Sequence, residues 1–162
     1  MKTAYLALGS NIGDREANLR DAATRLDGKE MRVTRRSSVY ETAPRELLDQ
    51  PWFLNAAVEI ETSLFPLQLL ARVRAVEREM GRRRITPKGP RNIDIDILFY
   101  SRAVIATAEL EVPHPRLAER RFVLEPLAEI APELRHPVTG KTAQEMLAVL
   151  EPQGVRRLAI EL

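Results

Sequence analysis

The 162 residues carry 44% hydrophobic and 30% charged side chains, a balance that argues against intrinsic disorder and fits one domain able to bury its own core. The absence of cysteine excludes disulfides, thiolate chemistry and Cys-ligated zinc, and two histidines exclude a His-rich metal centre. A formal charge of +2 is too mild to indicate nucleic acid, no apolar run reaches the length of a membrane span, and Lys2 ahead of a short strand-like stretch does not make a signal peptide, so a soluble cytoplasmic protein with no membrane partner is expected.

Residues 3–8 read as an apolar strand stopped by Gly9-Ser10-Asn11. Asp14 is a good N-cap, and Leu19, Ala22, Ala23 and Leu26 recur at helical spacing up to Gly28. A strand is expected over residues 31–40, with Val33 and Val39 as its apolar members, followed by a long loop over 41–52 marked by Pro44 and Pro51. Residues 53–62 form a clearer strand, with Leu54, Ala56, Val58 and Ile60 on one face and Phe53, Asn55, Ala57, Glu59 and Glu61 on the other. Pro66 suits the first turn of the next helix, whose buried stripe is Leu69, Val73, Val76 and Met80, and Gly81 stops it. A strand follows over 93–99, and a short strand near Val104-Ile105 is expected to pair with it. Helices around 123–130 and 142–150 and a last strand over 155–160 complete the chain.

The resulting order is β-α-β-β-α-β plus a C-terminal extension, all within one domain over residues 1–162. It predicts an α+β, ferredoxin-like sandwich: an antiparallel sheet with its helices on one face.

Position tells more about the basic residues than number does. Of the 25 basic residues 21 are Arg, a total that codon bias accounts for. Arg82, Arg83, Arg84, Lys88 and Arg91, however, crowd a stretch broken by Pro87, Gly89 and Pro90, which is neither a regular helix nor a central strand. Three residues beyond Arg91, the strand residues Asp94 and Asp96 share one side, their Cα atoms about 7 Å apart, while Ile93, Ile95, Ile97 and Phe99 point to the other. Two aspartates are poor choices for a merely solvated strand face, because Asp disfavours strands. Carboxylates at this spacing can bridge hard cations, and Mg²⁺ takes one or two of them plus water and substrate phosphates. A phosphate-binding cluster beside such a pair is what phosphoryl transfer requires. There is no Walker A motif and no kinase glycine-rich loop. Three further features are suggestive. Phe53 and Asn55 stand on the non-core side of their strand, where a ring and an amide two residues apart suit a flat heterocycle. His114 sits in the rigid turn Pro113-His114-Pro115, ahead of Arg116, Arg120 and Arg121. Glu77 neighbours the buried stripe of its helix, where an ordinary ion pair is the simplest reading.

Several segments in collinear order resemble the 6-hydroxymethyl-7,8-dihydropterin pyrophosphokinase family. They are Ala7-Leu8-Gly9-Ser10-Asn11, residues 38–44, residues 50–58, Gly81-Arg82-Arg83-Arg84, Gly89-Pro90-Arg91-Asn92-Ile93-Asp94-Ile95-Asp96, residues 112–116 and residues 121–132. The resemblance spans residues 4 to about 132, and its G-P-R-x-x-D-x-D-I segment is specific. It implies a ferredoxin-like fold and transfer of pyrophosphate from ATP to the pterin hydroxymethyl group with release of AMP, a step of folate biosynthesis. It implies that Asp94 and Asp96 bind two Mg²⁺ ions and that Arg82 and Arg91 act with them in catalysis. Arg82, Arg84, Arg91, His114 and Arg120 would face the triphosphate, with Glu77 and the main chain at Ile97 on the nucleotide side. Phe53 and Phe122 would sandwich the pterin, Asn55 and the backbone near Thr42 would read its edge, and Gly9 would line its pocket. Closure of loops 41–52 and 82–91 would exclude water. The sequence departs from the family at Lys88, where an aromatic residue is frequent, and at Ala43, where Pro is frequent.

The implied substrates are ATP and the pterin, for a monomer with no nucleic-acid partner. Two other readings remain: a different Mg²⁺-dependent nucleotidyltransferase or phosphohydrolase, and an RNA-binding α+β module. The second lacks the aromatic RNP1 pattern, and aromatics make up only 5% of the chain.

Overall fold

The computed structural model describes residues 1–44, 49–82 and 90–162. The first strand, β1 (Lys2–Ser10), is central: it pairs antiparallel with β4 (Phe53–Thr62) on one side and β5 (Asp94–Tyr100) on the other. Beyond β4 the sheet divides. β2 (Met31–Arg36) pairs with one half of β4, and β3 (Ser38–Thr42) with the other half. The strand expected over 31–40 is thus two strands. They break at Ser37, which is buried: its N–H donates to the carbonyl of Ala57 and its hydroxyl accepts from the N–H of Ala57. The last strand, β8 (Val155–Glu161), adds outside β3.

Two helices cover one face. α1 (Arg15–Leu26) starts where Asp14 Oδ1 accepts from the N–H of Ala17, and it buries Leu19, Ala22, Ala23 and Leu26. α2 (Pro66–Glu79) has proline at its first position and Gln68 Oε1 accepting from the N–H of Phe65; it buries Leu69, Val73 and Val76. Gly81 follows with φ +69°, the left-handed turn that lets a helix end. These side chains pack on Ala4, Leu6 and Leu8 of β1 and on Leu54, Ala56, Val58 and Ile60 of β4, the face read from the alternation.

The other face is covered too, which corrects the expectation of helices on one side only. α3 (Arg121–Ile130) and α4 (Ala143–Ala148) bury Val123, Leu124, Leu127, Ala143 and Met146 against Tyr5, Ala57, Leu98 and Phe99. Phe99 was expected among the isoleucines. The pairing of β5 with β1 shifts between Tyr5 and Leu6, because Tyr5 faces Phe99 while Leu6 faces Ile97. This bulge gives Leu98 no partner and turns Phe99 to the second face, edge-on to Tyr5 and to His136 with ring centroids 6.5 and 6.0 Å away. A second correction concerns the short strand near Ile105. β6 (Ile105–Ala106) pairs with β7 (Glu111–Val112) in a separate two-stranded ribbon, not with β5.

Phe99→Ala should cost about 3–5 kcal/mol of unfolding free energy, as expected for a fully buried aromatic side chain. Urea denaturation of the two proteins measures the difference.

Candidate active site

At one end of the sheet the second face lies clear of α4 and forms the floor of a cleft of about 630 Å³. Register builds that floor. Gly9 of β1 stands opposite Asn55 of β4 and opposite Asp94 of β5, and Ala7 stands opposite Ala57 and Asp96. An amide, a glycine and two carboxylates therefore share one face in adjacent rows. Gly9 must be small: a Cβ there would lie 2.8 Å from Asn55 Oδ1 and 3.7 Å from the Phe53 ring. Asn55 is held by donating from Nδ2 to the Thr42 hydroxyl at 2.6 Å, which leaves its Oδ1 over Gly9. Phe53 and Phe122 both line the cleft, and in each case a guanidinium lies over the ring: Arg91 4.7 Å from the Phe53 centroid and Arg120 5.5 Å from that of Phe122.

The acidic pair is ringed by cations. Arg82 Nη2 lies 3.0 Å from Asp94 Oδ1, and Arg91 Nε lies 3.5 Å from Asp94 Oδ2. Arg74, Arg116 and Arg120 also line the cleft. Burial, with Asp94 and then Glu77 close by, raises the Asp96 carboxyl from 3.8 to about 7, against the opposing pull of Arg74 and Arg120. His114 is held in its turn by donating its N–H to the carbonyl of Leu98 at 2.9 Å. Burial, and then the neighbouring Arg120, lower its imidazole from 6.5 to about 4, so it is neutral at pH 7. Its Nδ1 accepts from the N–H of Arg116 at 3.2 Å, which assigns the ring proton to Nε2 and makes that nitrogen a donor.

Glu77 and Ile97 do not line the cleft. Glu77 lies beneath it, 3% exposed, and accepts from Arg74, Arg82 and the N–H of Ile95 at 2.9, 2.8 and 3.0 Å. Its role is to hold residues that do line the cleft. The Ile97 side chain packs in the first core. Arg84 and Lys88 lie outside the described residues, as does much of the loops to which closure was assigned. The other expected site residues all meet here: Gly9, Thr42, Phe53, Asn55, Arg82, Arg91, Asp94, Asp96, His114, Arg120 and Phe122.

Three polar or charged lining residues were not assigned to the site from the sequence: Arg74, Arg116 and Gln50. Arg74 had a signal, since it lies three residues before Glu77 and so shares its helix face. Gln50 is placed by Asn11, which is 1% exposed and donates from Nδ2 to Gln50 Oε1 at 2.8 Å and to the carbonyl of Pro51 at 3.0 Å. Asn11 also exchanges backbone and side-chain hydrogen bonds with the main chain of Arg91, at 3.0 and 2.9 Å. One buried amide thus ties both loop ends to the end of β1.

The family model for 7,8-dihydro-6-hydroxymethylpterin-pyrophosphokinase matches residues 5–132. The chain belongs to this family. Relatives carry the pyrophosphokinase name at full length. The 2-amino-4-hydroxy-6-hydroxymethyldihydropteridine pyrophosphokinase of Bacillus subtilis is 51% identical over 148 residues, covering 90% of this chain and 89% of that protein. The protein of the same name from Methylorubrum extorquens is 48% identical over 159 residues, covering 98% and 99%. The folic acid synthesis protein fol1 of Pneumocystis carinii is 45% identical over 139 residues, but this chain spans only 19% of its length. Among solved structures, wild-type Plasmodium falciparum HPPK-DHPS with pteroate superposes with a TM-score of 0.73 over 91% of this chain and 42% of that one. At 19% identity it shows a shared fold. Among the described residues no helix is long and apolar enough to cross a membrane.

Two carboxylates without a third protein ligand suit a hard cation whose remaining positions go to water and phosphate, and among the described residues no larger acidic or histidine cluster competes with them. A folded-state carboxyl raised above its unfolded value stabilises the fold while protonated, and that contribution is lost as pH rises through the folded value. The metal-free protein should therefore lose stability between about pH 4 and pH 7 through Asp96. Added Mg²⁺ should restore more stability at pH 8 than at pH 5, and Asp96→Asn should flatten both dependences. Thermal unfolding at the two pH values, with and without Mg²⁺, tests this.

Proposed function

We propose that this cleft transfers pyrophosphate from ATP to the hydroxymethyl group of 6-hydroxymethyl-7,8-dihydropterin, giving the pterin diphosphate and AMP for folate biosynthesis. The observation that carries the reading is the row Asp94–Gly9–Asn55, which sets an acidic pair beside a shallow, amide-edged slot. In the slot, Phe53 and Phe122 would enclose the pterin ring, Asn55 and the main chain at Thr42 would read its polar edge, and Gly9 leaves it room. Along the acidic side, Arg82, Arg91, Arg120 and the Nε2–H of His114 would bind the triphosphate. Arg84 is assigned to the same group by family resemblance, with Glu77 and the Ile97 main chain as supports from below.

Asp94 and Asp96 would hold two Mg²⁺ ions, and the donor set fits because burial, and then the neighbouring Asp94 charge, raise Asp96, and a divalent cation offsets that buried negative charge. Bound there, Mg²⁺ supplies Lewis-acid neutralisation of phosphate charge and lowers the pKa of the attacking hydroxyl. The pterin hydroxyl oxygen bonds to the β-phosphorus as the bond from that phosphorus to the α,β-bridging oxygen breaks. AMP carries away the electron pair, and the hydroxyl proton passes to solvent. No side chain is assigned as general base. The arginines neutralise charge on the β- and γ-phosphates, the most direct contribution a protein makes to phosphoryl transfer.

We read residues 1–162 as one such domain, monomeric and cytoplasmic, with no nucleic-acid partner. Its core β1-α1-β2/β3-β4-α2-β5, with strand order β5-β1-β4-β3, we read as ferredoxin-like, extended by α3, α4 and β8.

The ³¹P spectrum of a mixture of protein, ATP, Mg²⁺ and the pterin should show AMP and a pterin diphosphate. Transfer of AMP, or release of free phosphate or pyrophosphate, would instead indicate a nucleotidyltransferase or phosphohydrolase. Asp96→Ala should abolish turnover in a folded protein, and near-normal activity would refute the metal assignment. Asn55→Ala should weaken pterin binding by about tenfold or more while ATP binding changes little, as for loss of a buried hydrogen-bonding group; calorimetry with each substrate measures both.

A further inference from the structure

The C-terminal turn Gln153-Gly154 touches both walls of the slot from behind, and the function above leaves it without a role. One wall is carried by the end of β3, Thr42 and Ala43. The other is carried by the corner between the 3-10 turn Leu117–Glu119 and α3, which bears Arg120 and Phe122. A recess of about 300 Å³ behind the slot is lined by Thr42, Ala43, Phe122, Gln153 and Gly154.

Each wall is fixed to the turn by its backbone. The N–H of Ala43 donates to the carbonyl of Gly154 at 2.8 Å, next to the pairing of Thr42 with Val155. Gly154 has no room for a side chain, since a Cβ would lie 2.9 Å from that of Ala43. On the opposite wall, the N-cap of α3 is Arg120, whose side chain makes no capping hydrogen bond. The first helical N–H would be left without a partner in the helix. Gln153, 32 residues away, supplies one: its Oε1 accepts from the N–H of Arg121 at 3.1 Å, and its Nε2 donates to the carbonyl of Glu119 at 3.1 Å. One side chain thus brackets Arg120 on both sides and sets the direction in which Phe122 leaves the corner.

We infer that Gln153 is a positioning residue for the heterocycle subsite: it caps α3 from the distant turn ahead of β8 and so sets the Phe122 wall relative to the Thr42 wall. The inference rests on assigning the slot to the pterin. Its mark is selectivity for one substrate. Of the residues assigned to the triphosphate, Gln153 brackets only the backbone at Arg120; Arg82, Arg91 and His114 stand at the end of α2, ahead of β5 and in their own turn, so ATP binding is affected less than pterin binding.

The test compares steady-state kinetics of the wild type with Gln153→Met, which keeps side-chain volume and removes both hydrogen bonds. The KM for the pterin should rise about fivefold, the worth of a helix cap, with kcat and the KM for ATP within about twofold. Gln153→Glu keeps the acceptor for the Arg121 N–H and should lie closer to the wild type. Arg121→Pro removes the same hydrogen bond from the donor side at a helix position where proline is tolerated, and Arg120 is already extended (φ −118°, ψ 106°); Arg121→Ala, which keeps the N–H but loses the same side-chain contacts to Glu125 and the Leu150 carbonyl, is its control and should stay near the wild type. The proline variant should show the same pterin-selective rise, and it carries the test if Gln153→Met does not fold. Equal rises in both KM values, a fall in kcat alone, or kinetics unchanged from wild type would overturn the inference. A wild type that makes no pterin diphosphate would overturn the functional reading beneath it.

Discussion

Glu77 sits at the end of α2, 3% exposed, and its carboxylate receives Arg74, Arg82 and the N–H of Ile95. A buried anion is tolerated only when it is paired and hydrogen-bonded, and here every donor belongs to the cleft or its floor. Ile95 lies between the two aspartates. Because side chains alternate along a strand, drawing its N–H toward α2 fixes the strand position from which Asp94 and Asp96 project. Arg82 spans the gap, touching Glu77 with one nitrogen and Asp94 with another. The basic wall and the acidic floor are thus aligned through one carboxylate that no substrate need touch. Burial first, and then the nearby Asp94 and Glu77 carboxylates, raise Asp96 above the ordinary carboxylate range.

Asn11 does for the backbone what Glu77 does for the charges. Its side chain and N–H connect Gln50 and Pro51 on one approach to the cleft with Arg91 on the other. The ends of the two approaches consequently share one reference point at the end of β1. A bound substrate that displaces one meets the resistance of the other.

Much of the site was legible before the fold because its signals are local. The alternation through β4 places Phe53 and Asn55, the D-x-D spacing places Asp94 and Asp96, and Asp14 and Pro66 mark helix starts through chemistry confined to one turn. What was not legible depends on partners distant in sequence. The break between β2 and β3 follows from the hydrogen bonds of Ser37 to Ala57, twenty residues on. The second layer of helices follows from Tyr5, Ala57 and Phe99 being apolar on a face whose other end is polar, a mixture that reads locally as a solvated side. Glu77 read as an ordinary ion pair beside the buried stripe of α2 because its other donors are contributed by Arg82 and β5.

The bulge at Leu98 separates two demands on one strand. Upstream of it, Asp94 and Asp96 must keep step with Gly9 and Ala7; downstream, Phe99 must fill the space under α3 and α4. In an uninterrupted ladder the two would be locked together, and any repacking at the apolar end would slide the carboxylates along β1. With the slack taken up between Ile97 and Phe99, the apolar end can drift in sequence while the acidic pair keeps its register. Half of β5 can therefore evolve as core and the other half as chemistry, each under its own selection.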